Sequence, residues 1–163
     1  MKKTRRAARE LALNILYQWD TCGVPFDEAL GTALEFADLS SLDARGEGPA
    51  EEARSYAALL SSGVRAHLAE LDSHIAKLAE GWPPDRQPAV DRNILRIAIY
   101  EIKHVDSVPP VVAVDEAVEL AKKFSTKESG KFVNGVLAGF LREINKESDA
   151  APVEEETLGS EDS

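Results

Sequence analysis

The sequence predicts an all-α protein, and three observations support this fold class. Apolar residues recur at spacings of three and four along most of the chain, as in helices with one buried face. No stretch of useful length alternates apolar and polar residues as a half-buried strand does. Glycines and prolines fall mainly between the periodic segments, where they end helices. With 163 residues, 44% of them apolar, the chain can bury a sizeable core as one domain or as two small subdomains.

The first helix is predicted over about 4–20, with Thr4 as its N-cap. At about 100° per residue, its inward positions form a stripe roughly 100° wide. These positions are Ala8, Leu11, Ala12, Ile15 and Trp19. The basic residues near the N-terminus lie on a separate arc and therefore do not compete with the core for one face. Gly23-Val24-Pro25 ends this helix.

The following segments also read as helices. Asp27 is the expected cap of a helix that continues to about Leu39, and a loop over 40–50 follows. A long helical pattern then covers about 51–79. It is expected to break near Gly63 or near Asp72-Ser73.

Prolines separate the last three predicted helices. Trp82-Pro83-Pro84 stops the long pattern, because a residue before proline disfavours helical geometry. Helices are then predicted over about 91–105, 111–124 and 128–144. The chain should therefore contain six or seven helices.

The N-terminus carries an unusual cluster of positive charge. Residues 2–9 hold five basic and no acidic side chains, on a chain whose net charge is -10. Cations at a helix N-terminus oppose the helix dipole, so this cluster does not serve helix stability. Such a cluster on an acidic protein is a candidate contact for a polyanion, usually RNA or DNA.

The C-terminal segment has the opposite character. Residues 147–163 hold seven acids and no base, with few large apolar side chains, which predicts disorder. The simpler interpretation is a solubilising tail. A sharper hypothesis is that this tail folds back on the basic cluster and competes with nucleic acid.

Several function classes are disfavoured by what the sequence lacks. It contains no P-loop, no G-x-S-x-G and no H-E-x-x-H motif, so no catalytic machinery is predicted. The single Cys22 excludes an internal disulfide and is typical of a reducing compartment. His67, His74 and His104 lack the short spacings of a structural zinc site, so neither a metal nor a cofactor is expected. No apolar run approaches the length that spans a bilayer, and the predicted location is cytoplasmic.

Four segments of the chain resemble one family. They are residues 5–19, 91–101, 108–124 and 131–137, in the family's order and at its approximate spacing. Together they resemble the NusB family of transcription antitermination factors, over about 4–142.

The resemblance implies a fold and a function. The fold is two helical subdomains packed across each other, here about 1–80 and 81–146. The function is binding of the single-stranded boxA element of nascent ribosomal RNA leader transcripts, together with the small-subunit ribosomal protein NusE. The complex joins an RNA polymerase antitermination assembly.

The resemblance also assigns residues. The family's arginine-rich first helix contacts RNA and corresponds here to Lys2, Lys3, Arg5, Arg6 and Arg9. A second RNA contact near the last helix corresponds to Lys131 and Phe132, with Glu128 beside them. The first turn of that helix also offers free N–H groups suited to a phosphate. The NusE-facing surface corresponds to Tyr17, Asp85 and Asp91.

Other interpretations stay open at this point. The basic cluster could dock on an acidic protein, which would make the chain a protein–protein adaptor without RNA. The same fold also occurs as the RNA-binding module of a ribosomal RNA methyltransferase system, although this chain ends before any methyl-donor-binding domain. Both a monomer and a homodimer that hides its RNA face fit the sequence.

Overall fold

The computed structural model describes the backbone of residues 2–43 and 48–162, and side chains as far as residue 148. Over this part of the chain the protein forms seven α-helices and no strand, so the predicted all-α fold is confirmed. The helices are α1 (Lys2–Thr21), α2 (Phe26–Phe36), α3 (Pro49–Ala66), α4 (Leu68–Leu78), α5 (Ala89–His104), α6 (Pro110–Phe124) and α7 (Lys127–Asp162). Two short 3-10 helices cover Ser40–Asp43 and Pro84–Arg86.

Helix α5 is the centre of the fold. It packs against α1, α3, α4, α6 and α7, and every residue from Ile94 to Ile99 is buried. Helix α1 also packs on α2 and α3, while α6 and α7 form a second close pair. One apolar core therefore runs through both helical groups, and the division near residue 80 stays a prediction.

Two predicted caps are wrong. Helix α1 begins at Lys2, so Thr4 lies inside the helix and is buried rather than capping it. Helix α2 begins at Phe26 after Pro25, whose fixed φ suits the position before a helix. Asp27 therefore lies in the first turn of α2, where its charge favours the helix dipole.

The break in the long helical pattern falls at neither predicted position. It falls at His67, between α3 and α4. Gly63 lies inside α3, where a Cβ would come within 2.1 Å of the Tyr100 ring. The glycine therefore permits close packing of α3 against α5 rather than ending a helix. Asp72 lies inside α4 and accepts hydrogen bonds from Arg96.

The last helix is longer than predicted. Thr126 caps α7, because its hydroxyl oxygen accepts the N–H of Ser129 at 3.0 Å. The backbone of α7 continues to Asp162, beyond the predicted end near Ile144. Side chains after residue 148 lie outside the described part, so the disorder of 147–163 and its return to the basic cluster stay predictions. No helix in the described residues is long and apolar enough to cross a membrane.

Candidate nucleic-acid interface

The five basic residues at the start of α1 occupy very different environments. Lys2 and Lys3 are exposed, and the Arg6 side chain is 47% exposed. Arg5 is half-buried against α3, and Arg9 is only 3% exposed. The cluster that the sequence presents as one block is therefore divided between surface and interior.

Arg9 forms a buried ion pair with Glu101 of α5. Its Nε donates to both carboxylate oxygens, at 2.9 and 3.1 Å, and its Nη2 donates to Oε2 at 3.0 Å. The hydroxyl of Tyr56 donates to the same Oε2 at 2.5 Å. Arg9 lines the groove between α1 and α6, but only 3% of the residue is exposed and Glu101 neutralises its charge. The structure therefore gives Arg9 a structural role, and its predicted RNA contact stays a prediction.

Arg6 is neutralised in a different way, at the surface. It forms a bidentate pair with Glu116 of α6, with Nε–Oε2 at 3.0 Å and Nη2–Oε1 at 2.9 Å. The hydrogen bond from Arg6 holds the pKa of Glu116 below its usual value, although burial of the carboxyl opposes this. Arg6 therefore presents an ion pair rather than a free cation to a ligand.

Arg5 is held without a carboxylate. Its guanidinium carbon lies 4.0 Å from the centroid of the Tyr56 ring, and its Nη2 donates to Ser107 Oγ at 3.4 Å. Within the described residues, Lys2, Lys3 and Arg5 form no ion pair with an acid. These three cations therefore keep their charge for an external anion.

A groove of about 430 Å³ lies beside these cations, between α1 and the start of α6. Residues of α1 line one side, and residues at and before the start of α6 line the other, namely Lys2, Arg5 and Arg9 against Pro109, Val112, Asp115 and Glu116. In the first turn of α6, Pro109 and Pro110 carry no N–H, and Val112 donates its N–H to Pro109 O at 3.0 Å, so this turn offers an anion only the N–H of Val111. The groove thus combines the charges of Lys2 and Arg5 with an exposed apolar edge, which suit a phosphate and a sugar or base, while Asp115 and Glu116 add negative charge on the α6 side.

The second predicted RNA contact lies at the start of α7. Glu128 and Lys131 are exposed and 3.7 Å apart, a weak surface pair. The ring of Phe132 is partly buried and packs edge-on against Trp82, with 4.7 Å between centroids. In the sequence, Trp82 is interpreted only as part of the segment that ends a helix, so the contact with Phe132 is not predicted. This contact follows the C-terminal end of α6, a helix roughly 20 Å long, whereas the groove lies along its N-terminal half.

The three residues assigned to the NusE-facing surface are not equivalent. Tyr17 is half-buried and lines a shallow, mostly apolar depression with Leu13, Val90 and Phe124. Asp85 is exposed in the second 3-10 helix.

Asp91 is 1% exposed, and its Oδ2 accepts a hydrogen bond from Ser129 at 2.9 Å. Its Oδ1 has no hydrogen-bond partner in the described residues. The assignment of Asp91 as a partner-facing residue is therefore corrected, because the carboxylate joins α5 to α7 from inside the protein.

His67, Glu70 and His104 form the one group in the described residues whose spacing could suit a metal ion. The two imidazole rings stack at 4.3 Å with 29° between their planes. His67 Nδ1 also lies 3.1 Å from Glu70 Oε2, at hydrogen-bond distance. Glu70 also pairs with Lys103. Ring stacking and ion pairing account for this group without a metal.

Comparison with known proteins then decides the family. The profile of the NusB family matches residues 6–142. The transcription antitermination protein NusB of Symbiobacterium thermophilum is 47% identical over 139 residues, covering 85% of this chain and 90% of the relative. The NusB protein of Salinispora arenicola is 45% identical, covering 82% of this chain and 91% of the relative. The chain belongs to the NusB family.

Solved NusB structures share the fold. A crystal structure of the antitermination factors NusB and NusE in complex with dsRNA gives a TM-score of 0.70 at 32% identity, covering 85% of this chain and 96% of that chain. The solution structure of NusB from Aquifex aeolicus also gives 0.70 at 32% identity, covering 89% and 92%. Family membership makes this chain a transcription antitermination protein rather than an enzyme.

Proposed function

We propose that this NusB-family protein binds the single-stranded boxA element of nascent ribosomal RNA leader transcripts together with NusE. The bound complex then joins the RNA polymerase antitermination assembly in the cytoplasm. The observation that carries the proposal is the groove at the start of α1, where Lys2 and Arg5 keep their charge beside the first turn of α6. The similarity of the fold to a NusB protein whose crystal structure contains NusE and dsRNA supports this proposal.

The charge pattern predicts how strongly salt weakens RNA binding. Each phosphate contact on a single strand contributes about -0.7 to the slope of log affinity against log salt. Five contacts would give about -3.5. Of the five basic residues at the start of α1, only Lys2, Lys3 and Arg5 lack an ion pair in the described part of the chain, and three contacts give about -2. The affinity should therefore fall roughly twentyfold between about 50 and 200 mM salt.

The experiment is a titration of labelled boxA RNA, followed by fluorescence anisotropy, with and without NusE. A scrambled single strand and a boxA duplex serve as controls, at two salt concentrations. We expect the tightest binding for single-stranded boxA in the presence of NusE. Equal affinity for boxA and scrambled RNA would refute the boxA assignment, and preference for the duplex would refute the single-strand assignment.

Two further outcomes separate the alternatives. Retention of NusE after RNase treatment, with no RNA binding under any condition, would favour the adaptor function over RNA binding. The homodimer stays a prediction, and sedimentation velocity with and without boxA RNA tests it. A dimer that hides its RNA face should dissociate when RNA is added.

A further inference from the structure

Tyr56 of α3 lies directly beneath Arg5 of α1. The guanidinium carbon is 4.0 Å from the ring centroid, within the range of a cation–π contact. Arg5 also reaches Ser107 in the connection between α5 and α6. These two contacts hold a long side chain at the mouth of the groove that it lines.

The Tyr56 ring is itself fixed from behind. Its hydroxyl donates to Glu101 Oε2 at 2.5 Å, and Glu101 is 1% exposed and held by Arg9. Burial raises the pKa of Tyr56, and the negative charge of Glu101 raises it further, so the hydroxyl stays protonated and keeps donating. The contacts therefore run without interruption from the buried ion pair to the surface arginine.

The manner of holding Arg5 differs from that of its neighbours. Arg6 and Arg9 are each held by a carboxylate, which fixes the side chain and cancels its charge. Tyr56 is neutral, so it fixes Arg5 and leaves the positive charge in place. A contact with the ring face also uses none of the N–H donors that would bind a phosphate. Arg5 is thus held in position while its charge and most of its donors stay available.

We propose that Tyr56 is a positioning residue for RNA binding: its ring face holds Arg5 for a phosphate contact, and its hydroxyl, bonded to Glu101, holds the ring. This inference rests on the proposed RNA-binding function. An arginine that is already held loses less rotamer freedom when it binds, so the affinity is higher than for a free side chain. Tyr56 itself need not touch RNA.

The test is a double-mutant cycle on the affinity for labelled boxA RNA in the presence of NusE. Tyr56→Leu should lower the affinity roughly two- to fivefold, the size of an exposed cation–π contact. In an Arg5→Gln background, the same change should have no further effect. In a Lys2→Gln background the full loss should persist, because Lys2 makes no contact with the ring in the described interactions. Tyr56→Phe keeps the ring face but loses the hydroxyl bond to Glu101, so its affinity should lie between that of Tyr56→Leu and that of the wild type.

The outcomes separate this inference from the function on which it rests. If wild-type protein binds boxA RNA but Tyr56→Leu causes the same loss with and without Arg5, the role of Tyr56 is structural and the inference is overturned. No loss from Tyr56→Leu overturns it equally. Should that variant fail to fold, the NMR signals of Arg5 in wild-type protein are the second measurement, and the absence of a ring-current shift overturns the inference. Wild-type protein that binds no RNA overturns the proposed function itself.

Discussion

Replacing Arg9 by methionine should destabilise the fold strongly, although the residue belongs to the N-terminal basic cluster. Arg9 and Glu101 have side chains only 4% and 1% exposed. The substitution fills the space of the arginine but leaves Glu101 buried, with the Tyr56 hydroxyl as its remaining donor. An unpaired buried charge of this kind lowers the free energy of unfolding by about 3–5 kcal/mol.

This loss is a large part of the total, since domains of this size unfold with about 5–15 kcal/mol. The assay is urea unfolding followed by far-UV circular dichroism, with the slope against urea checked for constancy. Arg9→Met/Glu101→Gln is the matched variant, because it removes the buried charge and keeps an acceptor for Tyr56. It should recover much of the loss, while Arg6→Met, at the surface, should change stability far less.

A loss from Arg9→Met of less than about 1 kcal/mol would refute this reasoning. That result would mean that water reaches Arg9 and Glu101. Arg9 would then return to the group of residues that can contact RNA.

Three other outcomes are expected. Glu116→Gln should release Arg6 and so raise the affinity for RNA. The slope of log affinity against log salt should steepen by about 0.7. An unchanged slope would mean that Arg6 reaches no phosphate even when released. The free energy of unfolding should fall in acid. Burial raises the pKa of Asp20, but the hydrogen bond from Arg92 and the charge of Arg96 lower it by more. The hydrogen bond from Arg6 likewise lowers the pKa of Glu116. Both carboxylates therefore stabilise the fold at pH values above their ordinary pKa values of 3.8 and 4.5. This contribution is lost as the pH falls through their lower pKa values in the folded protein. Urea unfolding at a series of pH values will measure the loss. Asp85→Asn should alter the affinity for NusE, measured by titration calorimetry, without changing the free energy of unfolding. Asp91→Ala should mainly lower the free energy of unfolding, measured with urea, because it removes the acceptor of Ser129.

The helices could be predicted from the sequence because their signals are local. The periodicity of α5 and α6, with prolines before each, placed both within two residues of their observed starts. The break at His67 has no such signal. Gly63, one of the two predicted break points, instead lies inside α3 and makes room for the Tyr100 ring of α5. Packing between distant segments is not visible in a local pattern.

The candidate site likewise has features that the local sequence predicts and features that depend on distant residues. The excess of cations at the start of α1 is a local feature that the sequence shows directly, but its predicted separation from the core fails for Arg9, which is buried. Its division into paired and unpaired residues is not local, because Glu101 lies 92 residues after Arg9 and Glu116 lies 110 after Arg6. One signal could have indicated the buried network. Tyr56 falls on the apolar stripe of its helix, and a tyrosine there needs a partner for its hydroxyl.

The central claim is that Lys2, Lys3 and Arg5 face RNA while Arg6 and Arg9 are neutralised within the protein. The salt dependence of boxA binding, measured with NusE, tests it most directly. Changing Lys2, Lys3 and Arg5 together to glutamine should flatten the log–log slope by about 2. Arg6→Gln should leave the slope unchanged. The account is contradicted if the triple variant keeps the wild-type slope, or if Arg6→Gln flattens the slope as much as Lys2→Gln does.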